Sequence, residues 1–301
     1  MISPAEAAKL ANLELIARRI VEGFLVGLHR SPFQGFSVEF SDYRSYQPGD
    51  SPDRIDWRVY GRIERLYVRR YEEETNLQAY LLLDTSGSMG YPIGGPYTKL
   101  DYALFLSAAL AYLLIQQRDA VGLYAFDEGI HTFLPARARR TWARQLFTVL
   151  EPFRGAPPRP RRSALAQTLH QVAEKLRRRS LILLMSDGFV EPGEEEAFTR
   201  ALAHLNAQKH EVLFFRIWDE ATEKYFQLPL QPLQLIDLET RRKTHIHTLE
   251  IQALYLEHFQ RWERQLHKFC TAHQIDLIPI DMRQDFFTPL YRYLLKRQRL
   301  L

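Results

Sequence analysis

Three oxygen-bearing side chains follow one apolar segment at alternate positions, in the stretch LLLDTSGSMG at 81–90. Asp84 ends the apolar run, and Ser86 and Ser88 come two and four residues later. Alternate positions in a short loop can direct a carboxylate and two hydroxyls toward one point, and such hard oxygen ligands suit Mg²⁺. Serine and aspartate also cap the N-termini of helices, so this stretch alone fits a helix cap as well as an ion site.

A second acid follows the most strongly apolar segment of the chain. Asp187 comes directly after SLILLMS at 180–186. Both apolar runs are short, as in strands that are buried on both faces of a parallel sheet. Ligands of open α/β sheets bind beyond the carboxyl ends of such strands. Two acids at two strand ends therefore favour an ion site over a helix cap.

The elements that would position these acids alternate along the chain from residue 78. Short apolar runs predict strands at 79–84, 120–126, 180–186, 210–218 and 275–280. Segments of helical periodicity separate them, and the helix predicted at 99–117 is apolar on nearly every side, which favours burial against a sheet. A turn signal at 127–129 predicts that 130–135 runs antiparallel to 120–126. This order predicts an α/β fold with a mostly parallel sheet and helices on both faces.

Two parts of the chain lie outside this alternation. Apolar residues recur three or four apart up to about residue 28, which predicts an N-terminal helix. The stretch that follows mixes aromatic, basic and acidic residues with turn signals, which predicts an extended β/loop segment. We therefore expect 1–77 to pack on a main domain at 78–301, which carries a small β insertion near 228–248.

Composition places the chain among ordinary globular proteins. Its 301 residues are 46% hydrophobic, and 40 Lys and Arg against 36 Asp and Glu give a net charge of +4. The longest apolar run inside a predicted helix, 104–115, is shorter than the roughly 18–20 residues that span a bilayer. A single cysteine, Cys270, suits a reducing compartment. These features predict a cytoplasmic protein with no membrane span. The arginine clusters lack a nucleic-acid motif and are expected to be solvated.

The segment DTSGSM resembles the D-x-S-x-S motif of von Willebrand factor type A domains, which have a Rossmann-like fold. The resemblance implies a metal-ion-dependent adhesion site, completed by a threonine from a second loop and an aspartate from a third. Asp187 in LLLMSDG matches that aspartate, and Ser163 in PRPRRSALAQTL stands where the threonine is expected. The implied ligands of Mg²⁺ are Asp84, Ser86, Ser88, Ser163 and Asp187.

This chain departs from the adhesion motif just before Ser163. Arg161 and Arg162 stand where two glycines are expected. A guanidinium about 8 Å from a divalent cation would repel it by roughly 4 kcal/mol at an effective dielectric constant of 20. Two hypotheses follow: either Arg162 points away and the site binds Mg²⁺, or an arginine replaces part of the cation's charge beside Asp84 and Asp187.

The segment upstream of the first strand resembles the signature of the Domain of Unknown Function 58 family, in which Y-x-P-G-D … I-D-W precedes a von Willebrand A-like domain. The matching residues are Arg44, Tyr46, Pro48, Gly49, Asp50, Arg54, Asp56, Trp57 and Arg62. The signature would act either as a salt-bridged, Trp-anchored brace for the first strand or as a surface that docks a partner. The second hypothesis assigns partner contacts to Gly49, Asp50, Arg54, Asp56, Trp57 and Arg162.

The two resemblances together imply a non-enzymatic interaction protein. A carboxylate of a protein partner would complete the coordination of the metal, and proteins of this family are commonly associated with MoxR-type AAA+ ATPases in protein remodelling or maturation. The alternative is a metal-dependent, phosphatase-like hydrolase that uses Asp84 as its nucleophile. Such enzymes need a second acid two residues later, where this chain has Ser86. The sequence contains neither the nucleophile elbow of serine hydrolases nor a P-loop, which disfavours serine hydrolysis and ATP binding.

Overall fold

The computed structural model describes residues 2–30, 43–45, 67–69, 77–92, 94–157 and 159–298. The chain divides into two compact units: Met1–Gly27 with Leu77–Leu301, and Leu28–Asn76. The second unit contains an antiparallel pair of short strands, β1 (Tyr43–Ser45) and β2 (Tyr67–Arg69). The residues before Leu28 therefore group with the part of the chain that follows residue 76 and not with the signature segment.

The larger unit contains the alternating elements that the sequence predicts. Its strands are β3 (Gln78–Asp84), β4 (Ala120–Phe126), β5 (Ile130–Arg137), β6 (Ser180–Ser186), β7 (Glu211–Trp218), β8 (Pro232–Ile236), β9 (Lys243–His247) and β10 (Asp276–Asp281). The helices are α1 (Pro4–Ala8), α2 (Leu13–Arg30), α3 (Lys99–Gln116), α4 (Arg140–Leu150), α5 (Leu165–Lys175), α6 (Glu195–Ala207), α7 (Thr248–Ala272) and α8 (Phe287–Gln298).

Six of these strands form one sheet in the order β10-β7-β6-β3-β4-β5. Only the edge strand β5 is antiparallel to its neighbour, and the other pairs are parallel. In chain order, β3 is the first strand of this sheet and β6 is the fourth. The direction of winding reverses between these two neighbours, as in doubly wound folds. The predicted α/β fold with a mostly parallel sheet is confirmed, as is the antiparallel turn from β4 to β5.

Helices cover both faces of this sheet. Alternate residues of β3, β6 and β7 form one hydrophobic cluster with α5, α6 and the C-terminal part of α7. Helix α3 contacts β3, β4, β6 and β7 from the other face, and nearly all of its residues are buried, as its apolar sequence predicts. Among the described residues α3 is also the one helix long and apolar enough to span a bilayer, but 89% of that window is buried inside the fold, as in a core helix.

The N-terminal helical segment differs from the prediction of one continuous helix, because it is divided into α1 and α2. The chain leaves the helical conformation between Ala8 and Leu13. The Arg154 guanidinium donates to the backbone carbonyls of Ala8, Leu10 and Ala11, and the Asn12 side chain accepts from the backbone N–H of Leu15. Arg154 thus satisfies carbonyl groups that a continuous helix would have bonded internally.

The predicted insertion is a separate hairpin outside the six-stranded sheet. Strands β8 and β9 pair only with each other among the described elements, and a turn at 238–240 joins them. This hairpin begins 16 residues before α7, after β7 has ended at the carboxyl edge of the sheet. Its turn is therefore free to lie at the edge where the two acids are expected.

Candidate metal-binding site at the ends of β3 and β6

The two strand-end acids lie side by side at the point where the sheet reverses its winding. Asp84 is the last residue of β3, and Asp187 follows the last residue of β6, the adjacent strand. Both side chains are buried, with 0% and 1% of their surface exposed. The structure thus brings together the two acids that the sequence analysis singled out, 103 positions apart in the chain by their numbers.

Asp84 is held by hydrogen bonds to both of its oxygens. Its Oδ1 accepts from the backbone N–H of Ser86 at 3.0 Å, and its Oδ2 accepts from Ser186 Oγ at 2.8 Å and Ser163 Oγ at 3.1 Å. Burial and, as a smaller cause, the charge of Asp187 raise the pKa of Asp84 to about 6, against the opposing effect of the bonds from Ser86 and Ser186. Ser163 therefore contacts the first acid, at the position where the resemblance implies a threonine.

The loop after β3 is fixed at both ends by backbone contacts. Thr85 donates to the Phe126 carbonyl through its N–H at 2.8 Å and its hydroxyl at 2.9 Å, and the Gly87 N–H donates to the Arg161 carbonyl at 2.9 Å. Between these anchors, the hydroxyl oxygens of Ser86 and Ser88 lie 3.2 Å apart. Thr85 is thus tied to the neighbouring strand, and the two serines of the motif are brought together.

Asp187 is held by a turn that only glycine can complete. Gly188 has φ of +64°, and a Cβ atom there would lie 2.8 Å from Phe214 Cζ. The turn lets Asp187 Oδ1 accept from the backbone N–H of Phe189 at 3.1 Å. Its Oδ2 accepts from Lys99 Nζ at 2.8 Å. Asp187 therefore carries a resident ion pair on one of its oxygens.

Lys99 is a buried cation that the sequence analysis missed. Its side chain is 0% exposed and donates to Glu223 Oε1 at 2.6 Å as well as to Asp187. Burial alone would lower the pKa of Lys99, but the charges and hydrogen bonds of Asp187 and Glu223 raise it above the usual value, so the amine stays protonated. Thr98 and Asp101 form a capping box that starts α3 at this lysine.

The arginines before Ser163 do not take the role that the second hypothesis gave them. Arg161 lies 3.6 Å from Asp127 and 3.8 Å from Glu128, and Arg162 pairs with Glu191 at 3.1 Å. The idea that an arginine replaces the cation's charge is wrong, because Lys99 takes that place at Asp187. Arg162 was also a predicted partner contact, and its side chain is 60% exposed.

Glu239 brings a third carboxylate to the site from the turn of the β8–β9 hairpin. Burial first, and then the nearby charges of Asp187 and Asp84, raise the pKa of Glu239 to about 7, while a hydrogen bond from Ser88 opposes the shift. No sequence motif pointed to this residue. Its only signal was position, because Glu239 lies in the LIDLET stretch of the predicted β insertion.

The oxygen ligands of this site are of the kind that a hard divalent cation prefers. Carboxylate and hydroxyl oxygens converge here. The acids Asp84, Asp187, Glu223 and Glu239 outnumber the two buried cations, Lys99 and Arg216, of which Arg216 donates through Nε to the Asp187 carbonyl. Among the described residues, no group of three or more His, Cys, Asp or Glu side chains is arranged to hold a metal ion. A cation here would therefore depend on Ser86, Ser88, Ser163 and water in addition to the acids.

Eight of the nine residues of the upstream signature lie outside the described part of the chain, which includes only Arg44. The eight are Tyr46, Pro48, Gly49, Asp50, Arg54, Asp56, Trp57 and Arg62. Their assignment as a brace or as a docking surface stays a prediction.

Two mycobacterial proteins resemble this chain in sequence. An uncharacterized protein of Mycobacterium tuberculosis (strain H37Rv) is 30% identical over 216 residues, which cover 72% of this chain and 66% of that protein. A protein of Mycobacterium bovis matches to the same extent. The match therefore spans just under two thirds of the length of these relatives.

Two solved structures show how far the fold resembles known ones. The conserved hypothetical protein BatB from Bacteroides thetaiotaomicron has a TM-score of 0.45 at 13% identity, covering 75% of this chain and all of that one. A von Willebrand factor type A structure from Catenulispora acidiphila has a TM-score of 0.34 at 16% identity, covering 48% and 34%. Because both scores are low, the fold is assigned from the strand order described above.

The family is established by sequence. The family model described as protein of unknown function DUF58 matches residues 42–267, more than half of the chain. The matched range includes the upstream signature, both strand-end acids and the β8–β9 hairpin. The chain therefore belongs to the DUF58 family.

Proposed function

We propose that this protein is a non-enzymatic interaction module, in which Mg²⁺ held by Asp84, Ser86, Ser88, Ser163 and Asp187 binds an acidic residue of a partner protein. The bound ion would supply a positive charge with an open coordination position, which favours a carboxylate. The protein supplies the rigid loop that presents the oxygens and the buried setting that strengthens the attraction.

One observation carries this proposal: hydrogen-bond donors from three separate segments converge on Asp84 at the carboxyl edge of the sheet. Ser186 and Ser163 donate to one oxygen of Asp84, and the loop N–H of Ser86 donates to the other. Asp187 lies close enough to raise the pKa of Asp84 through its charge. Two buried acids so close together are costly unless a cation or a proton offsets their charge, and the ion pair with Lys99 is made by Asp187 and not by Asp84, which supports a role of Asp84 in binding.

The burial of Asp84 argues against its use as a nucleophile. Asp84 is 0% exposed and both of its oxygens accept hydrogen bonds, whereas a nucleophilic carboxylate must reach the substrate. A general acid two residues later is replaced by Ser86, whose side chain is also buried. These observations favour an interaction module over the hydrolase alternative.

The partner that we propose is a MoxR-type AAA+ ATPase, with the pair working in protein remodelling or maturation in the cytoplasm. This part of the proposal rests on membership of the DUF58 family and on the absence of a P-loop from this sequence. A module that cannot bind ATP by itself needs a separate ATPase for any work that requires ATP.

A pull-down with a purified MoxR-type ATPase from the same organism tests the proposal. We expect the wild type to retain the ATPase in Mg²⁺ and to lose it in EDTA, and Asp84→Ala to lose it in both. Glu257→Ala, at an exposed position of α7, is the matched control and should behave as the wild type. Equal heats for wild type and Asp84→Ala in calorimetric titration with Mg²⁺ would exclude the metal site. Retention of the ATPase in EDTA would exclude a metal-linked interaction.

A further inference from the structure

The turn of the β8–β9 hairpin is seated directly on the loop that carries the two serines. A Cβ atom at Gly87 would lie 2.5 Å from the carbonyl oxygen of Leu238 and 2.8 Å from its carbonyl carbon. Those separations leave no room for any side chain at Gly87. The glycine of the motif therefore serves the close approach of this turn, in addition to any role in the loop itself.

Asp237 gives the turn the shape that directs Glu239 toward the site. Asp237 Oδ1 accepts from the backbone N–H groups of Glu239 at 2.8 Å and Thr240 at 3.2 Å, and its Oδ2 accepts from the Thr240 hydroxyl at 2.6 Å. These bonds close the turn within the hairpin itself. Glu239 then meets Ser88 by a hydrogen bond and faces the charges of Asp84 and Asp187.

A carboxylate is an unfavourable residue for a purely structural contact at this point. Asp84 and Asp187 are already buried there, and a third acid adds repulsion among like charges. Glutamine would bond Ser88 without that repulsion. The position is therefore explained better by a cation between the acids than by the need to hold the hairpin in place.

The hairpin can leave the site without disturbing the main sheet. Its strands pair only with each other among the described elements, and most of their residues are exposed. The segments on either side expose large apolar residues, with Leu230 and Leu249 at 70% and 68%. An element with few buried contacts opens at a lower free energy than the core of the same protein.

We propose that the β8–β9 hairpin is an internal occupant of this site: Glu239 fills the carboxylate position that the partner's acidic residue would take. The inference rests on the proposed function, since it names the competitor at the same site. It follows that a partner binds only after the hairpin has moved, so the free protein is held in a self-occupied state. Binding of the partner is then a competition between its acid and Glu239.

Manganese binding with acetate rescue tests this inference, with Mn²⁺ as a spectroscopic substitute for Mg²⁺. We expect Glu239→Ala and Glu239→Gln to weaken Mn²⁺ binding by roughly tenfold. Millimolar acetate should restore most of the affinity of Glu239→Ala, because the truncated side chain leaves space for a free carboxylate, and should leave the wild type unchanged. Glu239→Gln, which fills that space, should not be rescued. Glu250→Ala, at an exposed position of α7, is the control and should match the wild type.

The outcomes separate this inference from the proposed function. If Asp84→Asn abolishes Mn²⁺ binding while both Glu239 variants bind as the wild type and ignore acetate, the internal occupant is refuted and the metal site stands. If Asp84→Asn binds Mn²⁺ as tightly as the wild type, the metal site is refuted and the internal occupant falls with it. Acetate rescue of Glu239→Ala confined to proteins with an intact Asp84 supports both.

Discussion

Replacing Lys99 by Met removes the cation that lies between two acids at the base of the candidate site. Lys99 Nζ is 2.8 Å from Asp187 Oδ2 and 2.6 Å from Glu223 Oε1. The side chains of Lys99 and Asp187 are 0% and 1% exposed, while Glu223 retains 17%. Because water cannot replace the lost ammonium at Asp187, we expect Lys99→Met to fold with reduced stability.

The expected loss follows from the geometry of these contacts. At an effective dielectric constant of 20, two unit charges about 2.7 Å apart attract by roughly 6 kcal/mol before the cost of desolvation is subtracted. Measured losses on removing one member of a buried ion pair are about 3–5 kcal/mol, because the remaining charge stays buried without a partner. We expect Lys99→Met to lie in that range. Adding Glu223→Gln should recover about 1–2 kcal/mol, since only one acid then remains without its cation.

Urea unfolding in EDTA, followed by circular dichroism, measures both effects. Lys268→Met, at an exposed position of α7, is the control and should change the free energy of unfolding by no more than about 0.5 kcal/mol. A loss below about 1 kcal/mol for Lys99→Met would contradict the assignment of Lys99 as a buried, charged group. The reasoning would also fail if Glu223→Gln lowered the stability of Lys99→Met further.

The same variant connects the ion pair to the proposed metal site. Lys99 reduces the negative charge that a divalent cation would meet at Asp187. Removing the ammonium should therefore increase the stabilisation that Mg²⁺ gives, measured as the rise in melting temperature between EDTA and saturating Mg²⁺. A smaller rise in Lys99→Met than in the wild type would mean that Lys99 helps to build the cation site and does not compete with the cation.

Three further predictions concern single positions. Gly87→Ala should displace the hairpin turn, because its Cβ would lie 2.5 Å from the Leu238 carbonyl oxygen. We expect the free energy of unfolding to fall by about 1–3 kcal/mol and amide hydrogen exchange at 237–241 to become faster. Unchanged exchange there would argue against the close contact. Asp84→Asn should stabilise the protein at pH 7.5 in EDTA by up to about 3 kcal/mol. The pKa of Asp84 is raised from 3.8 to about 6, so its ionisation costs stability increasingly as the pH rises from 3.8 to about 6 and fully above that; a lower urea midpoint would contradict this. Cys270 is 1% exposed, and burial raises the pKa of its thiol to about 12. A thiol reagent at pH 8 should therefore react with Cys270 only as the protein unfolds. Stoichiometric reaction in the native state would contradict this burial.

The positions of the strands and of the two acids could be predicted because local sequence determines them. Strand β4 occupies Ala120–Phe126 and β6 occupies Ser180–Ser186, as the apolar runs indicate. Strands buried on both faces leave few other residue types available, so a run and its end are visible in the sequence. The edge of the sheet where the acids meet followed from the alternation of elements alone.

The break between α1 and α2 could not be predicted in the same way. Both segments have helical periodicity, and the residues at 9–12 include no proline or glycine. The break is stabilised by Arg154, which is more than 140 positions away and donates to carbonyls of this segment. A contact between such distant positions leaves no periodic signal at either end.

The same reason explains which residues of the candidate site were missed. The adhesion-type motif is a pattern of near neighbours, and it led directly to Asp84 and Asp187. Lys99 and Glu239 reach the site from the start of α3 and from the β8–β9 turn, and neither belongs to the motif. A lysine at the start of a fully buried helix was the available signal, because a buried ammonium must find an acid. Lys99 offsets the negative charge of Asp84 and Asp187, whereas Glu239 adds to it. The charge balance that would decide cation binding therefore depends on two positions that the motif does not contain.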